Sequence, residues 1–325
     1  MADNSKIEWT DQTDNIIVVK GGGHWCRKKS DGCANCYAEQ LNNNSFFGGN
    51  HLPYKGQPPV LELRRDIIEK WARQRKPKKH FVASMTDVFG EWVKRAWQFE
   101  FLDGMLAAPL QTFQVLSKRA NVLLKTVRLW MAARGITRPP ANIWLGFTAE
   151  NQKEFDRRWQ DMKPLAVMGW TIFVSCEPLL GPIILPEDFL ELGNRAQVIV
   201  GGESGKNARP MHPDWTRQLR SQCVAAGVPF FFKQWGEWAP IKPALKDSWE
   251  KAGRPPVNNF IKADKWGVLM PDGRFFLGGK GMQMRDLLHP ECQQHMLYRV
   301  GKKVAGRLLD GRAWDEFPVN GGQSL

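Results

Sequence analysis

Short apolar runs alternate with helix-like stretches from Lys79 to Phe232, and no other feature constrains the fold as strongly. The runs are His80–Ser84, Phe113–Ser117, Asn142–Gly146, Thr171–Ser175, Gln197–Gly201 and Val228–Phe232. Each is β-branched or aromatic, with polar residues just beyond its C-terminal end. Near-continuous apolar strands separated by helices predict a parallel sheet covered on both faces. Helices are expected over Val88–Ala107, Ala120–Arg134, Asn151–Met162 and Pro213–Ala226, the last stopping at Gly227. An earlier strand over Asn15–Lys20 completes six or seven βα units between residues 15 and 235. Such even spacing favours an α/β fold of the full or partial (βα) barrel type over a doubly wound sheet. In barrels the functional groups sit on loops after the strand C-termini. On that rule Thr86-Asp87, Lys118-Arg119, Thr148, Glu150-Asn151, Glu177, Glu203-Ser204 and Lys233-Gln234 converge on one mouth.

After Trp238 the pattern changes. Residues 239–280 are rich in Pro, Gly and Lys, Met270–Gly273 reads as a turn between short strands, and 281–317 reads as helix followed by loop. The expected division is a barrel over 1–238 and a C-terminal extension over 239–325 packed on it.

Three of the six cysteines, Cys26, Cys33 and Cys36, fall within eleven positions in the segment after the first expected strand. No apolar run approaches the roughly 18 residues of a membrane span, and the polar N-terminus lacks a signal-peptide core. The expectation is a soluble cytoplasmic protein with no membrane partner, where such a cluster binds metal or serves catalysis rather than forming disulfides. Three thiolates suit a four-iron, four-sulfur cluster with one iron left open. With His24 they equally suit a Cys₃His zinc site, and unligated thiols are the plainest alternative. Cys176, Cys223 and Cys292 are too dispersed for a second cluster. The net charge of +13 and fifteen tryptophans point to a nucleic-acid partner, held by phosphate contacts and stacking. Gly201–Gly205 lacks the Gly-Lys-Ser/Thr ending of a phosphate-binding loop, which excludes nucleotide hydrolysis.

The motifs Gly32-Cys33-Ala-Asn-Cys36-Tyr37-Ala-Glu39, Ser84-Met-Thr-Asp87-Val-Phe89, Leu116-Ser-Lys-Arg119 and Trp144–Asn151 recur in order. They continue through Ser175–Gly181, Val200–Gly205 with Arg209-Pro-Met, Phe230–Glu237, and Gly301–Gly311 with Trp314. Together they resemble the phage-associated three-Cys-motif family of the radical S-adenosylmethionine (SAM) superfamily. The spacing of six and two between cysteines departs from the superfamily's usual three and two, and Lys20-Gly-Gly-Gly-His24-Trp25 replaces the Trp-Asn-Pro of relatives.

The resemblance implies a radical SAM barrel and a [4Fe-4S] cluster on Cys26, Cys33 and Cys36, together with SAM. It implies SAM contacts from Tyr37, Ser84, Thr86, Asp87, Thr148, Glu150, Asn151 and Gln234. Catalytic roles fall to Glu177, Glu203, Lys233 and Cys176, the last as a hydrogen donor or simply a small buried residue. Substrate contacts fall to Lys118, Arg119, Arg209 and Trp235. The implied substrate is a modified base in DNA, acted on by an isomerase of amino-acid-modified thymidine during phage hypermodification. The implied location is the host cytoplasm, with an electron donor such as flavodoxin or ferredoxin. A DNA-lesion lyase of the spore-photoproduct type and a zinc-stabilised nucleic-acid-binding protein are the alternatives.

Overall fold

A computed structural model describes residues 5–240, 266–282 and 294–319. Strand β1 (Gln12–Asp14) opens the main sheet, while β2 (Ile17–Val19) and β3 (Leu61–Leu63) pair antiparallel beside it. Next come β4 (Lys79–Val82), β5 (Thr112–Ser117), β6 (Ile143–Thr148), β7 (Thr171–Cys176), β8 (Ala196–Gly201) and β9 (Phe230–Gln234). The sheet runs β1-β4-β5-β6-β7-β8-β9, with every pair parallel. It curls into an open half-barrel, so the partial form of the expected (βα) barrel is the one the chain adopts.

Alternation along the strands sorts side chains to two faces. Val82, Phe113, Val115, Leu145, Ile172, Val174, Val198 and Phe230 face the main core. That core also holds the buried stripes of α2 (Arg65–Arg73), α3 (Arg95–Leu106), α4 (Ala120–Arg134), α5 (Gln152–Val167) and α7 (Pro213–Ala226), whereas α1 (Tyr37–Asn42) and α6 (Glu187–Leu190) are short. Phe81, Trp144, Phe173, Ile199 and Phe231 point to the concave side, where Trp9 joins them in a second cluster packed by Phe317. Gly146 has no side chain because a Cβ there would stand 2.3 Å from the Phe173 ring. Large aromatics thus plug the hollow beside the buried Gln114 and Gln197, which donate to Trp9 O and Glu316 O, and Ser175 and Lys233 follow toward the strand C-termini.

Three expectations need correction. The run Asn15–Lys20 contributes β2 to the side ribbon, and the sheet's own first strand lies upstream at Gln12–Asp14. The helix expected from Val88 begins at Arg95, because residues 88–94 form turns stitched by Gly90 N–H to Asp87 O and Val93 N–H to Gly90 O. The described part of 281–317 is mainly strand and tail.

There β13 (His295–Arg299) pairs with β10 (Trp238–Pro240) and β11 (Trp266–Leu269), and β11 pairs with β12 (Phe275–Leu277) across the expected turn. Cys292 lies outside the described residues. A short helix, α8 (Lys302–Ala305), follows. The tail then covers the β9 edge through Phe232 N–H to Trp314 O and Glu316 N–H to Phe230 O. No helix among the described residues is long and apolar enough to cross a membrane.

At the β1–β4 edge, Asp14 is wholly buried and accepts from Gln12 Nε2 (2.9 Å), Trp71 Nε1 (2.7 Å) and His80 Nδ1 (2.6 Å). Burial pushes its pKa up, but the bonds from His80 and Gln12 win and hold it below the ordinary value. Asp14→Ala strands these donors in the core. We expect a loss of about 3–5 kcal/mol in urea unfolding, the usual cost of breaking a buried charged network.

Candidate functional site

The segment from Lys20 to Cys36 crosses the strand C-termini and is held there by residues that follow β4, β5, β6 and β8. After β4, Thr86 Oγ1 donates to Trp25 O (2.6 Å), and Ser84 O accepts from Tyr37 Oη (2.7 Å). After β5, Arg119 Nη2 donates to Arg27 O (3.1 Å). After β6, Glu150 accepts from Ser30 Oγ (2.5 Å), and Gly32 lies so close that a Cβ would meet Glu150 Oε1 at 2.3 Å. After β8, Glu203 accepts from Asn35 Nδ2 (2.9 Å), while Arg209 Nη2 donates to Asp31 O (3.0 Å).

The clamps are themselves braced. Glu150 is completely buried and paired with Lys118 (2.9 Å) and with Arg158 (2.7 Å), itself only 2% exposed. Burial would raise its pKa, but these two cations and the Ser30 bond hold it down at about 2. Asp87 accepts from Ser117 Oγ, Lys118 N–H and Arg119 Nη1. Glu203 takes a two-pronged contact from Arg209, at 2.9 and 2.6 Å, which outweighs burial and lowers its pKa.

Between loop and sheet lies a cavity of about 230 Å³. Trp9, Phe81 and Leu116 form its floor. Deep in it, Glu177 Oε1 pairs with Lys233 Nζ (2.8 Å), and Glu177 Oε2 accepts from Trp9 Nε1 (3.2 Å) and Ser175 Oγ (3.1 Å). Cys26, Cys33 and Cys36 all line the cavity. Burial, with the nearby Asp87 charge, pushes the Cys26 thiol up to about 12, and burial also raises Cys36. Opposing this, Asp87 N–H faces Cys26, and Ala38 and Glu39 N–H at the start of α1 face Cys36. These donors are placed to support thiolates bound to a metal.

Among the described residues, the three-ligand group whose donor atoms lie within 4.8 Å of one another is His212, Asp214 and His295. The three cysteines offer three thiols to the cavity. A four-iron cluster takes each thiolate on a separate iron, whereas a tetrahedral zinc needs a fourth donor. His24 does not line the cavity, and its Nδ1 sits 3.2 Å from Ile17 O.

Of the residues singled out from sequence, Tyr37, Ser84, Thr86, Asp87, Lys118, Arg119, Thr148, Glu177, Glu203, Lys233 and Gln234 share the cavity with the cysteines. The other five lie outside its lining. Glu150 and Arg209 are clamps. Asn151 caps α5 by accepting from Glu154 N–H (3.1 Å). Cys176 is fully buried in the main core, and Trp235 donates from Nε1 to Leu308 O (3.0 Å). Sequence reasoning missed Ser30, Asn35, Trp9 and Arg158. Only Arg158 carried a signal, since it shares the buried stripe Phe155, Trp159 and Met162 at helical spacing.

Comparison with solved structures gives spore photoproduct lyase at low similarity. A cysteine-to-alanine variant aligns with TM-score 0.42 and 11% identity over 70% of this chain and 77% of that one. A double variant of the lyase with bound AdoMet and dinucleoside spore photoproduct aligns with TM-score 0.36 and 13% identity, over 65% and 60%. No curated protein matches the sequence. The sequence matches one family model across residues 4–318, nearly its whole length, and the chain therefore belongs to the family described as "Protein of unknown function (DUF5131)".

Proposed function

We propose that the chain is a radical SAM enzyme that acts on a base in nucleic acid. The observation that carries this reading is the set of three thiols, with His24 outside the lining, on the wall of a cavity at the C-terminal mouth of a partial (βα) barrel. Cys26, Cys33 and Cys36 would hold a [4Fe-4S] cluster with one iron facing the cavity. When bound, such a cluster delivers one electron to the sulfonium of SAM, giving a carbon radical able to take hydrogen from an unactivated C–H bond.

The chain's own residues bind, orient and exclude water. Ser84, Thr86 and Thr148 offer hydroxyls and carbonyls to the amino-acid and ribose parts of SAM, beside Tyr37. Trp9, Phe81 and Leu116 provide a dry apolar floor beneath the reacting atoms. Lys233, steadied by Glu177, offers an N–H⁺ to a carbonyl or carboxylate of the substrate, and Trp9 and Ser175 fix the Glu177 carboxylate in turn. The net charge of +13 supports a polyanionic substrate. The narrower reading, isomerisation of an amino-acid-modified thymidine in phage DNA with a flavodoxin or ferredoxin as reductant, rests on the motif resemblance.

Anaerobic purification with iron, sulfide and zinc analysis tests the proposal. About four irons per chain, a broad absorbance near ~400 nm that dithionite bleaches, and reductive cleavage of SAM are expected. A colourless protein holding one zinc, and refusing iron on reconstitution, overturns it.

A further inference from the structure

Beside the cavity the chain displays two aromatic rings to solvent. Phe46 is 90% exposed and Phe47 64%, with their rings edge-to-face and 5.3 Å apart. They sit on a turn that begins just after α1, the helix whose first residue, Tyr37, lines the cavity. At six residues α1 is only about 9 Å long, so the rings stand close to the mouth.

The turn is rigid without them. Asn44 Oδ1 accepts from Phe46 N–H (2.9 Å), Phe47 N–H and Gly49 N–H donate to Asn44 O, and Gly48 takes the left-handed conformation at φ 71°. Asn42, 1% exposed, closes the loop. Its carbonyl accepts from His51 N–H (3.0 Å), its Nδ2 donates to Asn50 Oδ1 (2.6 Å), and its Oδ1 accepts from His24 N–H (2.8 Å) in the cysteine segment. At Gly49 a Cβ would fall 2.1 Å from Asn42 O, so the crossing tolerates no side chain. Polar bonds fix the turn, so neither ring is needed to fold it.

Building on the radical SAM reading, we infer that Phe46 and Phe47 form a stacking wedge for duplex nucleic acid. It enters between base pairs and displaces the target base toward the cavity. A base inside a duplex cannot reach a buried radical site, so extrusion is required. Apolar side chains inserted at a base step are a recurrent means of achieving it. The surroundings suit phosphates, with five Lys or Arg against two carboxylates between residues 20 and 60. A protein partner suits the rings less well. Even with Leu41 and Tyr37 the exposed apolar group is four side chains, far short of the roughly 800 Å² per partner of a stable interface.

The test compares the anaerobic wild-type holoenzyme with Phe46→Ser/Phe47→Ser on a short duplex carrying one 2-aminopurine, and on the corresponding single strand. The wild type should raise 2-aminopurine emission on the duplex. The double variant should lose that rise and bind the duplex at least about tenfold more weakly, while keeping its single-strand affinity, iron content and melting temperature. Phe46→Trp/Phe47→Trp should restore the rise. Equal unstacking by the serine variant overturns the wedge and leaves the radical reading intact. So does a loss confined to self-association or to reduction by flavodoxin, which would assign the rings to a protein contact. Failure of the wild type to bind either nucleic acid overturns the wedge and the nucleic-acid substrate together, while iron content and SAM cleavage still report on the cofactor.

Discussion

Glu150→Ala is expected to destabilise the protein by about 3–5 kcal/mol in denaturant unfolding and to loosen the cysteine segment. The carboxylate is wholly buried, and its removal leaves Lys118 without its partner and the 2%-exposed Arg158 with Glu154 as its remaining counter-charge. Breaking a buried pair by deleting one partner costs far more than the pair contributes net, because the surviving charge stays desolvated. Here Lys118 loses its buried partner and Arg158 loses one of two. The same change removes the acceptor for Ser30 and the surface on which Gly32 rests, so iron retention after gel filtration should drop with stability. Glu150→Gln keeps the volume and should fall between alanine and wild type. The pH dependence has a defined sign. With a folded pKa near 2 against an unfolded value of about 4.3, Glu150 contributes fully above about pH 4.3. That contribution is lost as pH falls toward 2. Unfolding measured from pH 7 down to 3 should therefore show a smaller acid loss in Glu150→Gln than in wild type.

The clamps show which parts of the site a sequence can carry. Strand positions were legible because each run is apolar on both faces, and the polar residue ending each run was legible because barrel chemistry gathers at strand C-termini. The partners of those polar residues were not. Glu150 and Glu203 look like free carboxylates in the chain, yet each is engaged by a loop more than a hundred residues upstream, through Ser30 and Asn35. No local pattern encodes that crossing. Lys118-Arg119, expected to contact substrate, and Arg157-Arg158 both add to the basic charge of the chain, and Arg119 and Arg158 are each 2% exposed. Part of the apparent nucleic-acid signature is thus internal scaffolding. The barrel's incompleteness was likewise hidden, because the edge is covered by a tail whose seat depends on Trp314 and Phe317 finding β9. Within 281–317, read as helix then loop, residues 283–293 lie outside the described residues, and the strand at 295–299 was missed for a related reason: β13 is defined by its partners β10 and β11, not by a strong period of its own.

Single substitutions Cys26→Ala, Cys33→Ala and Cys36→Ala should each abolish stable iron binding and the visible chromophore, whereas His24→Ala should leave both essentially intact. The contrast separates the two ligand sets that the sequence allows. A Cys₃His zinc site needs His24 as its fourth donor, and losing a ligand or its support typically costs at least ten- to hundredfold in metal affinity. In the structure the imidazole is turned to the backbone, with Nδ1 beside Ile17 O, and burial lowers its pKa. The three thiols face the cavity without it. The cysteine variants should also differ in the protein they leave behind. Cys26 and Cys36 join the hydrophobic cluster of Val19, Trp25, Ala38 and Tyr54, so truncating either opens a gap and should lower the apo-protein melting temperature. Cys33 lies outside that cluster, and Cys33→Ala should spare the fold while removing the metal. Iron and zinc per chain, read beside melting curves of the metal-free proteins, check all four variants. If His24→Ala lost metal as completely as Cys33→Ala while zinc, not iron, was the metal lost, the open-cluster assignment would fall.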